Sequence, residues 1–223
     1  MGAEATAGGL SSAASAADGC GAGPWDYGLA LLVDSAAYPP RIGAIHRVLP
    51  GLTPDKAVDL AKGAFCVTPQ PGGSQDLDAA LAALDQAAAS GPAFLLAGGG
   101  AGNGAGPGAA YLLTDPDPVQ AEAAMPDGLS ATWRGLGYSV LQQLLITQLW
   151  GLRDDDRDVQ IVHNDAATAI AGAARSGGTA VICAPMSAAE VYTVAANGER
   201  VPRKSTSFGP KPRTGLVLRT FDA

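Results

Sequence analysis

Six basic side chains, Arg200, Arg203, Lys204, Lys211, Arg213 and Arg219, crowd the end of a chain whose net charge is −7. Between them stand the hydroxyls of Ser205, Thr206 and Ser207 and the prolines at 202, 210 and 212. Lysine binds phosphate as a point charge, arginine as a bidentate fork, and hydroxyls donate hydrogen bonds to its oxygens. Arg203, Lys204, Ser205, Thr206, Lys211 and Arg213 are therefore candidate ligands for a phosphate or carboxylate. Clustered like charge costs stability unless an anion offsets it. The competing reading is a solubilising edge strand, because lysine and proline at a sheet edge block strand addition.

His163-Asn164-Asp165 is the second candidate, placed where a strand over Val159–Val162 meets a helix from Asn164. Ligands dock at that end of a βα unit, and histidine there can serve as acid, base or phosphate carrier with Asp165 orienting the substrate. The plainer alternative is that Asn164 or Asp165 caps the helix. His46-Arg47, at another strand end, is a weaker version of the same idea. Two histidines exclude a multi-histidine metal centre within one subunit. No G-x-S-x-G elbow offers a serine nucleophile. Cys183 reads better as a packing residue than as a reactive thiol. The aspartates of Arg153–Asp158 lack calcium-loop spacing and read as a solvated turn.

The elements around these candidates follow from periodicity and punctuation. Tyr27–Val33 and Arg41–Val48, separated by Pro39-Pro40, predict a strand hairpin. Thr53-Pro54-Asp55 opens a helix, followed by a strand at Phe65–Thr68 and a helix through Leu77–Ala88. Strands at Ala93–Ala97 and Ala109–Leu113 flank a glycine-rich loop, Gly98–Gly108. That loop has no G-x-G-x-x-G register and no Gly-Lys-Ser/Thr, so it reads as a hairpin loop rather than a phosphate cradle. A short helix within Asp115–Ala124, a long one over Tyr138–Trp150, and a βαβ series ending at Thr179–Ala184 come next. Helix Ser187–Ala196 and a final strand at Thr214–Leu218 close the chain. The fold class is α/β, a mixed sheet flanked by helices in a domain over residues 24–223. It follows a flexible Ala/Gly/Ser leader at 1–23, and a waist near 126–135 would divide it into two small lobes.

Composition narrows the class. Apolar residues make up 47% of the chain, charged residues 16% and aromatics 5%, a globular profile with an aliphatic core. The acidic balance argues against nucleic acid as a partner, since such binders need a broad basic surface. No apolar run reaches membrane-spanning length, and the start lacks a signal-peptide core, so the expected compartment is the cytoplasm. Cys20, Cys66 and Cys183 are odd in number and far apart, which fits neither a disulfide framework nor paired zinc ligands.

Arg200-Val201-Pro202-Arg203-Lys204-Ser205-Thr206-Ser207-Phe208-Gly209-Pro210-Lys211, followed by Thr214-Gly215-Leu216-Val217, resembles the closing signature of the bacterial domain of unknown function 1015 family. The family pattern reads approximately M-P-P-K-S-T-Y-F-Y-P-K-x-x-T-G-L. Leu136-Gly137-Tyr138-Ser139-Val140-Leu141, His163-Asn164-Asp165 and Ile45-His46-Arg47-Val48-Leu49 are also similar to that family, and the likeness covers most of residues 25–220. Val201, Arg203, Ser207 and Gly209 depart from the pattern, the last two replacing tyrosines. The resemblance is to the C-terminal half of such a protein. The N-terminal half carries an Asp-Gly-His-His-Arg motif shared with free serine kinases, and Ala17-Asp18-Gly19-Cys20 does not replace it. The resemblance implies a partial, kinase-like enzyme that handles phosphate, with ATP or ADP and Mg²⁺ as the cofactor class. Its partners would be a small anionic ligand, a missing N-terminal half, or a second copy in a homo-oligomer. The alternative is a non-catalytic binding or assembly module.

Overall fold

The computed structural model describes residues 23, 26–98, 108–211, 213, 215 and 217–219. Contacts divide the chain into two units, Met1–Val33 with Pro212–Ala223, and Asp34–Lys211. The segment 126–135 lies within the second. The leader expected at 1–23, apart from Gly23, and the glycine-rich stretch 99–107 lie outside the described residues.

In the first unit, the Asp26 carboxylate accepts from the Gly23 N–H at 2.7 Å, and Arg219 donates to the Tyr27 carbonyl at 2.8 Å. Tyr27–Val33 forms no strand, so the expected hairpin with residues 41–48 is absent. A strand needs partners for its backbone groups, and residues 41–43 pair elsewhere. Of the final strand expected at Thr214–Leu218, Gly215, Val217 and Leu218 are irregular, while Thr214 and Leu216 lie outside the described residues.

The second unit holds a six-stranded sheet flanked by helices, the expected α/β arrangement. Its strands are β2 (Ile45–Leu49), β3 (Cys66–Pro69), β4 (Phe94–Ala97), β5 (Ala110–Thr114), β6 (Gln160–His163) and β7 (Thr179–Cys183), in the order β3-β5-β4-β7-β2-β6. Each hydrogen-bonded pair is antiparallel. β6 and β7 both run antiparallel to β2, so they are parallel to each other as the βαβ pattern predicts, with β2 inserted between them. A separate ribbon pairs β1 (Arg41–Gly43) with β8 (Ser207–Gly209).

Strand alternation sends side chains to two cores. Phe94, Leu96, Val181 and Cys183 join one, while Leu95, Ala97, Ala180 and Ile182 join the other. The second core is closed by α2 (Leu77–Ala88) and α6 (Ala166–Ser176) through Leu84 and through Ala80, Ala169 and Ala173, whose small side chains let the helices approach the sheet. The first is closed by α1 (Pro54–Ala61) and a stretch begun by α5 (Gly137–Ser139). From Val140 to Leu149 that stretch winds as a π-helix, and the Trp150 N–H donates to the carbonyl of Leu145 at 2.9 Å. It buries Val140, Leu141, Leu144, Leu145 and Ile146, and Gly151 ends it with φ 64°. The remaining α-helices among the described residues are α3 (Pro118–Ala124), α4 (Ala131–Gly135) and α7 (Ala188–Ala196).

Caps are where local chemistry predicts. Pro54 opens α1 after Thr53, and Asp117 caps α3. Ser187 and Glu190 form a reciprocal capping box on α7.

Candidate functional site

The segment 41–45 links the two groups of candidate residues. In β2, Ile45 lies opposite His163, and the next N–H, of Asn164, donates to the Ala44 carbonyl at 2.9 Å. In β1, Gly43 lies opposite Ser207 and Arg41 opposite Gly209. Gly43 leaves room for the Asn164 carboxamide, which a Cβ at that position would strike. His163 and Asn164 therefore border the same short segment as Ser207–Gly209, although residues 163 and 207 are far apart in sequence.

Not every candidate faces outward. Asp165 is the N-cap of α6 and accepts from the Thr168 hydroxyl at 2.7 Å and the Thr168 N–H at 2.8 Å. Those bonds, with smaller help from the charge of His46, hold its carboxyl below the usual range. His163 is exposed at the end of β6. Arg203 is held by the aspartate turn, its Nη2 donating to Asp156 Oδ1 at 2.8 Å and its Nη1 to the Asp154 carbonyl at 3.4 Å. Ser205 is buried and donates its hydroxyl to the Pro202 carbonyl at 2.7 Å, so it is turned away from solvent. Lys204 and Lys211 are exposed, and Thr206 is half-buried. Lys204 sits at φ 51°, a left-handed conformation that costs a non-glycine residue strain unless its surroundings fix it. Arg213 belongs to the other unit and is exposed there.

What fixes Lys204 is Arg47, which is 2% exposed. Its Nη2 donates to the carbonyls of Lys204 at 3.0 Å and Arg203 at 3.3 Å, and its Nη1 to that of Ile45 at 3.0 Å. The Asp154 carboxylate, itself buried, lies 4.0 Å from Arg47 Nε and 3.7 Å from Arg203 Nη1. The guanidinium carbon stands 5.8 Å from the centre of the Tyr138 ring. Sequence reasoning gives Arg47 only weak standing and assigns Asp154 to a solvated turn. The available signal was an arginine inside the apolar run Ile45-His46-Arg47-Val48-Leu49, because a buried arginine requires a buried acid.

The Tyr138 hydroxyl accepts from the Ile45 N–H at 2.8 Å and donates to the Ile45 carbonyl at 3.3 Å. Burial raises its pKa well beyond the ordinary phenol range, so it stays protonated. Replacing Tyr138 with Phe should leave the Ile45 N–H buried and unpaired, while the Ile45 carbonyl keeps its bond from Arg47 Nη1. Thermal or denaturant unfolding should show a loss of about 1–3 kcal/mol; an unchanged midpoint would contradict the bridging role.

His46 is buried, and its Nδ1 accepts from the Cys183 N–H at 3.2 Å. Burial, assisted by the positive Arg47 and opposed by Asp165, lowers its pKa to about 4, so the ring is neutral near pH 7. Burial also pushes the Cys183 thiol up to about 12, which leaves it un-ionised and poorly nucleophilic. Beside it lies a cavity of about 150 Å³, lined by Pro92, Phe94, Tyr138, Cys183, Met186 and Glu190 among others. Among the described residues, no group of three or more His, Cys, Asp or Glu side chains is placed to hold a metal ion. No described helix is long and apolar enough to cross a membrane. Comparison with family models, with curated proteins and with solved structures returns no match for this chain.

Proposed function

We propose that this chain binds a small phosphate-bearing ligand, a nucleotide with Mg²⁺ foremost, along the β1–β8 ribbon. It would serve as the binding part of a kinase-like, phosphate-handling enzyme. The observation that carries this reading is the ribbon register, with Arg41 opposite Gly209 and Gly43 opposite Ser207. It adds Arg41, from a distant part of the sequence, to the strip that holds Lys204 and Lys211. All three cations are exposed, and none has a carboxylate partner among the described residues. Thr206 and Ser207 supply hydroxyls between them, and Arg47 gives the Lys204 backbone a fixed position. His163, exposed on the other side of segment 41–45, is the group left to orient or deprotonate a substrate hydroxyl. Asp165 supports the start of α6. Arg203 and Ser205, engaged within the protein, hold the loop rather than the ligand.

The test is a thermal-shift titration of the full chain with ATP, ADP, phosphoserine and sulfate, with and without Mg²⁺. A ligand at about 100 times its Kd stabilises the folded state by roughly 2.7 kcal/mol, a rise of several degrees for a chain of this size. Lys204→Ala with Lys211→Ala should abolish that rise and its salt dependence, and Arg41→Ala should weaken it. A flat response to every ligand, or wild-type binding by the double variant, would overturn the proposal.

An assembly role is the second reading, favoured by one observation. The apolar side chains of Tyr27–Val33 are largely exposed in a segment that belongs to no strand or helix.

A further inference from the structure

Four neighbouring strand ends meet at one rim of the six-stranded sheet. Phe94 of β4 lies opposite Cys183 of β7, and Ile45 of β2 lies opposite His163 of β6. Cys183 and Ile45 each stand two residues beyond the last β7–β2 pair, Val181 with Arg47, where the His46 ring takes the Cys183 N–H and bridges the strands. Phe94, Cys183 and Ile45 belong to the first core and Ile161 packs against it, so His163, two residues on, projects from the same face. The cavity beside Cys183 therefore lies on the face and rim that carry His163, roughly 10 Å away at two strand spacings.

The lining of that cavity suits a flat, uncharged ring. Its volume is about 150 Å³, the size of an engineered cavity that takes up benzene. Pro92, Phe94, Tyr138, Pro185 and Met186 supply apolar surface. The described lining holds no lysine or arginine, and its one charged side chain is Glu190, so a phosphate has no partner there. Glu190 is anchored by the cap of α7, its Oε2 accepting from the Ser187 N–H at 2.7 Å and hydroxyl at 2.8 Å. Among the described residues none donates to Oε1, which leaves an acceptor on this residue for a ligand N–H. Tyr138 ties the cavity to the ribbon, because its ring stands 5.8 Å from the Arg47 guanidinium that bonds the Lys204 carbonyl.

We infer that the cavity receives the base of an adenine nucleotide. The ring lies among Pro92, Phe94 and Met186, its exocyclic amine donates to Glu190, and the phosphates reach the ribbon past His163. The phosphate end of this inference rests on the ribbon reading, and the cavity end stands apart from it. The cavity selects ATP or ADP over phosphoserine, which has no ring to place there.

Isothermal titration calorimetry of the full chain with Mg²⁺ tests this with ATP, adenosine, tripolyphosphate and purine riboside triphosphate, which lacks only the amine. Tripolyphosphate and purine riboside triphosphate should each bind about tenfold or more weakly than ATP, since each leaves part of the site unpaired. A Cβ on Gly137 or Gly91 meets no atom within 4 Å, so Gly137→Leu and, separately, Gly91→Leu place a side chain in the open space of the cavity. Each variant should keep the wild-type Tm, bind tripolyphosphate like wild type, and bind ATP no better than tripolyphosphate. Adenosine should bind wild type and the Lys204→Ala, Lys211→Ala double variant alike. Adenosine binding with no response to tripolyphosphate would overturn the ribbon reading and uphold the cavity. Equal affinity for ATP and tripolyphosphate, or wild-type ATP binding by both leucine variants, would overturn the cavity and leave the ribbon. Equal affinity for ATP and purine riboside triphosphate would overturn the contact with Glu190, and no response to adenosine or ATP would overturn the whole inference.

Discussion

Asp154→Ala should cost about 3–5 kcal/mol of stability, the loss seen when one partner of a buried ion pair is removed and the other charge stays behind. Arg47 is fully enclosed, and its guanidinium faces three backbone carbonyls that cannot neutralise it. Asp154 is the carboxylate that does. Arg203 is more exposed and has Asp156 as a second partner, so it survives the loss of Asp154 in a way Arg47 does not. For a chain of this size the change amounts to a fall in Tm of roughly 10 °C. Adding Arg47→Met should recover part of it, because the buried charge is then gone as well, although the carbonyls of Ile45, Arg203 and Lys204 lose the donor that Arg47 supplied. Urea unfolding of the single and double variants measures both terms. If the double variant is no more stable than Asp154→Ala, the coupling between the two residues is absent.

The same pair links stability to the proposed ligand. Arg47 reaches the carbonyls of Arg203 and Lys204 from the middle of β2 and holds Lys204 in its left-handed conformation. Removing it should loosen the loop that presents Lys204. Arg47→Met should therefore weaken anion binding although residue 47 is buried away from solvent.

The local parts of this fold were legible because local chemistry decides them. Thr53-Pro54, Asp117-Pro118, Ser187 with Glu190, and Gly151 each start or stop a helix through groups a few residues apart. The direction of β6–α6–β7 was legible for the same kind of reason, since a helix of that length returns the chain to a parallel strand. Insertion of β2 between them was not, because that choice depends on pairing with residues more than a hundred positions away. Tyr27–Val33 shows the limit of periodicity. The spacing reports which face is apolar, but a strand also needs a neighbour for its backbone, and sequence does not say whether one exists.

The basic strip shows a different limit. Composition identified the cations and hydroxyls but not their directions. Ser205 turns inward to Pro202, Arg203 is bound by the aspartate turn, and Arg41 joins the ribbon from another region. Arg47 and Asp154 each looked ordinary alone. Their meaning lies in a contact that spans most of the second unit, where each makes the burial of the other tolerable.

Stability should fall between about pH 6.5 and pH 4, and His46 should account for much of that fall. In the folded chain its pKa is about 4, because the buried ring resists charge. In the unfolded chain it takes a proton near the ordinary value of 6.5. Above 6.5 neither state is protonated there, and the full stability is present. Between the two values the unfolded state binds a proton that the folded state refuses. Each unit of falling pH then costs about 1.4 kcal/mol, up to a total of about 3 kcal/mol. Below about 4 the folded ring protonates too, and the loss levels off. Asp155, Asp165 and Glu199 are held below their ordinary values by hydrogen bonds, so their contribution disappears at lower pH, in a separate window. His46→Asn keeps an acceptor for the Cys183 N–H without a titrating ring. Denaturant midpoints measured from pH 7 to pH 4 should fall much less steeply in that variant than in wild type. Parallel curves would show that His46 titrates alike in both states, and the acid sensitivity would then belong to the carboxylates. The expected difference follows from the Cys183 N–H, which needs the unprotonated Nδ1 that the folded chain preserves.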